Sequence, residues 1–143
     1  MVAASISIGI SAGNTGIQSF AYTGTIQSFT VPAGINNIKV NALGGGGGDE
    51  IIFPGGAGAS ISGNFAVTPG QKLYLLVGQK GGDNTNYGVQ AGGGGGGTFV
   101  TIDSTFISGL LVAAGGGGGA YHLRLSCRVC SGRNAGKNRS LYG

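Results

Sequence analysis

Tryptophan is absent from this 143-residue chain, and methionine and histidine occur once each, as Met1 and His122. Charge is also scarce. Only 8% of residues are charged, which argues against a disordered polar chain, because such chains carry many charges and few apolar groups. Long hydrophobic runs are missing too. No stretch approaches the roughly 18 apolar residues of a membrane-spanning helix, so no transmembrane segment is expected. Residues 1–10 lack the basic start and continuous apolar block of a secretory signal. Cysteine is confined to Cys127 and Cys130, which rules out a disulfide framework for residues 1–120. A hydrophobic content of 41% suffices for the core of one domain of this length.

The net charge of +4 points to nucleic acid only until its distribution is examined. Residues 1–120 hold Lys39, Lys72 and Lys80 against Asp49, Glu50, Asp83 and Asp103, leaving the body nearly neutral. Residues 121–143 hold Arg124, Arg128, Arg133, Lys137 and Arg139 with no carboxylate. The basicity belongs to this tail, which could attract a polyanion. The tail has no repeated aromatic and basic interleaving, which argues against nucleic acid as a partner. Its abrupt change of composition reads equally as a functional patch or as a disordered or non-native end.

Glycine is what the chain has in excess, 34 residues in all. Three runs are uninterrupted: Gly44, Gly45, Gly46, Gly47 and Gly48; Gly92, Gly93, Gly94, Gly95, Gly96 and Gly97; and Gly115, Gly116, Gly117, Gly118 and Gly119. Each abuts a segment with strand character. Ile6, Ile8 and Ile10 alternate with small polar residues over 5–11, the period of a half-buried strand, and 11–15 reads as a turn. Residues 20–31 read as one strand region, bulged at Gly24 and ended by Pro32. Ile38, Val40 and Ala42 alternate into the first run. Residues 59–67 show the clearest one-sided alternation. Thr68-Pro69-Gly70-Gln71 has the residues of a type II turn, which predicts an antiparallel return through Leu73, Leu75 and Val77. Residues 98–102 and 106–114 form another pair, the second so apolar that burial on both faces is expected. No segment has a helical period, and frequent glycine would cost a helix about 1 kcal/mol each relative to alanine.

An extended glycine run can form a left-handed threefold polyglycine II helix without internal hydrogen bonds, rising about 3.1 Å per residue. Ordering it costs roughly 1–2 kcal/mol of backbone entropy per residue. Only bonds to neighbouring backbones, about 0.5–1.5 kcal/mol net each, can offset that. One isolated run stays a linker. Several runs anchored by strands can pack as a bundle in which any Cβ would force backbones apart, and the direct abutment of runs on strands favours this bundle over mobile loops.

Three blocks carry a resemblance: residues 22–34 (YTGTIQSFTVPAG), residues 65–78 (FAVTPGQ followed by LLVG) and residues 110–114 (LLVAA) before glycine. Together they resemble the glycine-rich domain of phage tail-fibre or tip adhesins and bacterial surface proteins, and the similar ectodomain of anaplastic lymphoma kinase-type receptors. The resemblance covers roughly residues 20–119 and implies a mainly β fold, an antiparallel jelly-roll-like β-sandwich with packed polyglycine II helices. It departs from the receptor domains in having no cysteine in residues 1–120, and from the other members in turning basic at Tyr121.

Catalytic chemistry finds no support. His122 has no motif-defined nucleophile near it, and Gly92–Gly97 followed by Thr98 lacks the lysine and helix of a phosphate loop. Asp49 and Glu50 point to opposite faces of an extended segment and read as solubilising a loop. Asp83, Asn84 and Asn86 supply oxygen atoms for a calcium site but more often form a turn. Cys127 and Cys130 form a single C-x-x-C, short of the four ligands of a structural zinc site. Neither cofactor nor metal is therefore expected. Asn138-Arg139-Ser140 matches a glycosylation sequon, which is meaningful only on a secretory route.

The expected organisation is an N-terminal strand and hinge over 1–19, a glycine-rich domain over 20–120 and a basic tail over 121–143. The expected function is a non-catalytic structural or adhesive module of an extracellular fibre, phage tail or cell surface, meeting a cell-surface protein or glycan. The alternatives are a receptor-type ligand-binding domain and, third, an ice-binding surface, although no regular threonine array is visible. Ile6, Ile8 and Ile10 need burial, either within their own sheet or on the open edge of a neighbouring copy. The second arrangement would give a homo-oligomer or fibre.

Overall fold

The computed structural model describes residues 3–10, 16–86 and 91–121. The turn expected over 11–15, His122, Cys127, Cys130 and the basic tail lie outside the described residues. The described residues are all-β and make two antiparallel sheets of four strands. One sheet has the order β2-β1-β4-β5, from β1 (Ser5–Ile10), β2 (Gly16–Ala21), β4 (Asn37–Leu43) and β5 (Ser60–Ala66). The other has the order β3-β6-β7-β8, from β3 (Gln27–Thr30), β6 (Lys72–Leu76), β7 (Thr98–Thr101) and β8 (Leu110–Ala114).

Alternation places the core. Ile6 and Ile8 of β1 and Ile38, Val40 and Ala42 of β4 are fully buried in one cluster with Leu73, Leu75 and Val100 of the second sheet. Phe20 of β2 and Phe29 of β3 meet edge to face, with ring centroids 6.3 Å apart. Ile10 packs at the margin of the same cluster. β1 lies between β2 and β4, so Ile6, Ile8 and Ile10 take the intramolecular of their two expected arrangements, and Gly16 opens β2.

Strand-level expectations differ from the fold in four places. The region over 20–31 is two strands in different sheets, because the chain leaves the first sheet at Tyr22 and turns through Gly24, whose φ is 76°. The turn at Thr68–Gln71 forms, with Gly70 at φ 81° and the Gln71 N–H donating to the Thr68 carbonyl at 2.9 Å. It does not close a hairpin. β5 stays with β4 while β6 pairs with β3 and β7, so the turn carries the chain from one sheet to the other. A period of two reports which side chains point inward but not which sheet a strand joins. β5 is an edge strand whose inward face is only partly covered, with Ile61 40% exposed. β8 is buried on one face alone, through Val112 and Ala114, because a two-layer sandwich covers only the inward face of each sheet.

Beyond the strands, the antiparallel ladders continue without a register break into glycine. The Leu43–Ser60 pair of β4 and β5 is followed by the Gly44 N–H donating to the Ala59 carbonyl at 2.9 Å and the Gly47 N–H to the Gly56 carbonyl at 2.8 Å. From β6 and β7, the Gly96 N–H reaches the Gln79 carbonyl and the Gly93 N–H the Gly82 carbonyl. From β7 and β8, the Gly95 N–H reaches the Gly117 carbonyl and the Gly92 N–H the Ala120 carbonyl. Bonds recur every third residue, the period of polyglycine II. The two sheets also join each other here. Gly45 and Gly48 donate to Gly96 and Gly93 across the sandwich, while Gly117 and Ala120 donate to Gly45 and Gly48.

Strands packed face to face sit about 10 Å apart because side chains fill the gap. Where the side chains vanish, the backbones close to hydrogen-bonding distance. Thr98 stands at this transition, fully buried, its hydroxyl donating to the Leu43 carbonyl at 2.8 Å and accepting from the Gly78 N–H at 2.9 Å. Among the described residues the bundle holds five segments, since residues 55–59 and 78–82 join the three long runs. Gly44, Gly45, Gly46, Gly47 and Gly48 are all buried and form its centre.

A candidate binding surface at the distal tip

The segments leave the sandwich from strand ends and reverse direction about 15 Å further out, the length of five residues at 3.1 Å each. The first reversal is the sequence Asp49-Glu50-Ile51-Ile52-Phe53-Pro54. Glu50 and Phe53 pair as an antiparallel bridge, the Glu50 N–H donating to the Phe53 carbonyl at 2.8 Å, so Ile51 and Ile52 form a two-residue turn. Such turns favour Asn-Gly or Gly-containing pairs because they need positive φ. Here Ile51 holds φ 21°, a rare conformation for a β-branched residue. Ile52 is 74% exposed and Phe53 41%. With Asp49, Ile51 and Pro54 they line an open depression of about 400 Å³. Tyr121, half exposed, bridges Ala91 at the same end.

A polar clamp holds this turn. The Lys80 ammonium donates to Asp83 Oδ1 at 2.6 Å and to Asp49 Oδ2 at 3.1 Å. Asp49 Oδ1 accepts from the Gly55 N–H at 2.8 Å, and the Asp49 N–H donates to Asp83 Oδ1 at 2.8 Å. The Gly55 N–H, then Lys80, hold the Asp49 carboxyl below its ordinary value, and Lys80 does the same for Asp83. The two carboxylates, Asp83 first, raise the Lys80 ammonium above its own.

Glu50 does not solubilise the loop. It is buried, as is its parallel-bridge partner Asn84, and Glu50 Oε2 and Asn84 Nδ2 have no hydrogen-bond partner among the described residues. Of the residues read as calcium ligands, Asp83 is engaged by Lys80, and Asn84 Oδ1 accepts from the Asn86 N–H at 3.1 Å, the geometry of an Asx turn. Among the described residues, no three carboxylate, histidine or cysteine groups converge as metal ligands.

The glycines read as structural are brought together, with differences between them. A Cβ on Gly44, Gly47, Gly92, Gly95, Gly116, Gly117 or Gly119 would lie under 3.0 Å from a neighbouring backbone, whereas one on Gly115 or Gly118 would meet nothing within 4 Å among the described residues. Two features escaped the sequence reading. Gly55 and Gly58, like Gly78 and Gly81, recur at the three-residue spacing that brings one facet of a threefold helix inward. Three consecutive large apolar residues between two carboxylates and a proline were the signal for the tip.

A β-sandwich of eight described strands continued by a polyglycine II bundle, with its loops gathered at the far end, defines a glycine-rich β scaffold. The family described as glycine-rich domain matches residues 20–142, and the chain belongs to it. The match runs past Tyr121 into the basic segment. No curated protein matches the chain.

Proposed function

We propose that the chain is a non-catalytic adhesive module of an extracellular fibre, phage tail or cell surface, in which the sandwich is the base, the glycine bundle a rigid spacer, and the distal tip the contact surface. The observation that carries this reading is the turn at Ile51 and Ile52. Large apolar side chains are held out of the core on a strained, clamped turn, and strain of that kind gathers where a backbone serves recognition. Scattered exposed apolar residues are ordinary, but adjacent ones beside a depression mark a contact surface. A receptor-type ligand-binding domain would use the same depression. The partner class that fits is a cell-surface protein or glycan with an apolar face.

Ile52→Ser together with Phe53→Ser should cut binding to target cells at least tenfold while leaving the melting temperature within a few degrees of wild type. Binding measured by flow cytometry on a panel of bacterial and animal cells checks this. Retained binding by the folded double variant would remove the tip from the adhesive surface.

A further inference from the structure

Among the described residues, the sandwich has a second set of free surfaces, its sheet edges. β2 and β5 bound the first sheet and are its longest open edges, at six and seven residues. Proteins usually blunt such edges with charge, proline or bulges. Neither strand, GIQSFA or SISGNFA, contains a charged residue or proline, and both keep an unshifted register with their inner neighbours. Among the described residues, 16–20 and 60–66 make no backbone hydrogen bond outside those ladders; at the end of β2, the Gln27 side chain covers the Ala21 carbonyl.

Direction makes the two edges complementary. Every pair in β2-β1-β4-β5 is antiparallel, so β2 and β5 run in opposite senses. A copy turned only by the accumulated twist of the sheet therefore presents its β5 antiparallel to β2. In the second sheet, β3 and β8 also run in opposite senses, but the Ala59 N–H just before β5 donates to the Gly115 carbonyl just after β8 at 2.8 Å, which draws the two sheets together on that side and confines the lateral pairing to the first sheet.

We propose that β2 of one copy pairs with β5 of the next, building a head-to-tail ribbon from a single repeated heterologous contact. A symmetric pairing of β2 with β2 would leave both β5 edges open and need a second kind of contact to cover them. Four strands at 4.7–4.9 Å give a repeat of about 19 Å. Each copy turns from the last by the twist that four strands accumulate, so every glycine bundle leaves the same margin of a twisted ribbon and the tips follow that margin as a repeating array. This assembly deepens the structural side of the proposed function but rests on the sheet edges. Ile52→Ser with Phe53→Ser leaves it intact, and loss of assembly leaves the binding of a single tip intact.

The test uses the full chain and two edge-blocked variants, Ile17→Lys with Ser19→Lys on β2, and Ser62→Lys with Asn64→Lys on β5, each shown to be folded by circular dichroism. All four positions are exposed. Sedimentation velocity of the wild type should show concentration-dependent growth beyond the dimer, and electron microscopy a ribbon with protrusions on one margin. Each variant alone should be monomeric. Mixed, they should form a one-to-one dimer and stop, because each supplies the edge that the other lacks. A monomeric wild type, dimerisation of the β5 variant alone, or assembly surviving both blocks would overturn the pairing.

Discussion

One missing atom, the Cβ, governs the bundle, and its absence matters unequally along each run. In the last run, Gly116, Gly117 and Gly119 face neighbouring backbones, while Gly115 and Gly118 face none of the described residues. Gly94 is also peripheral, its nearest neighbour for a Cβ being the Gly117 carbonyl oxygen at 3.8 Å, whereas Gly46 sits in the buried central segment. Gly117→Val should therefore destabilise the fold by roughly 1–3 kcal/mol or more, the usual cost of overpacking. Gly118→Ala should be neutral or stabilising by about 0.4–1 kcal/mol, because it restricts the unfolded chain without meeting anything in the folded one. Melting temperatures of the pair decide this, and equal values would mean that the facets are not distinguished. Unbroken glycine runs announce a bundle in the sequence, but they cannot say which glycine faces in. That depends on the rotation of each helix, and a residue without a side chain leaves no pattern to read.

At the level of elements, the inward residues of β1, β4 and β6 were legible from alternation, as was the turn at Gly70. Sheet membership was not, because Val67 and Leu73 look alike whichever sheet receives them. The tip was partly visible. Its carboxylates stand out in the sequence, but Lys80 lies 31 residues from Asp49, and only the fold brings them together. That clamp has a pH signature. The folded values of Asp49 and Asp83 are depressed from 3.8, so their contribution is complete above 3.8 and lost as pH falls through the lower folded values. Lys80 is raised from 10.5, so its contribution is complete below 10.5 and lost as pH rises through the higher folded value. The Asp49 and Gly55 amide resonances should titrate together at the acid limit. Lys80→Met should weaken the acid limb of the melting-temperature profile. An unchanged limb would show that the acid response arises elsewhere.

Across the whole molecule, two halves of one continuous set of ladders are stabilised by different forces. The sandwich buries isoleucine, leucine and valine, while the bundle exchanges amide–water bonds for amide–amide bonds and buries almost no hydrocarbon. Heat capacity separates these contributions, because exposing apolar surface on unfolding raises it and exposing peptide groups lowers it. The protein should therefore unfold with a heat-capacity increment below the usual 12–15 cal/mol/K per residue, measurable by scanning calorimetry, and a value at or above that range would mean that the bundle contributes little to the cooperative unit. A small increment gives a shallow stability curve. Burial of hydrocarbon weakens on cooling, and a spacer built from peptide groups alone escapes that weakening, so the distance between base and tip should hold at temperatures where an ordinary core begins to loosen.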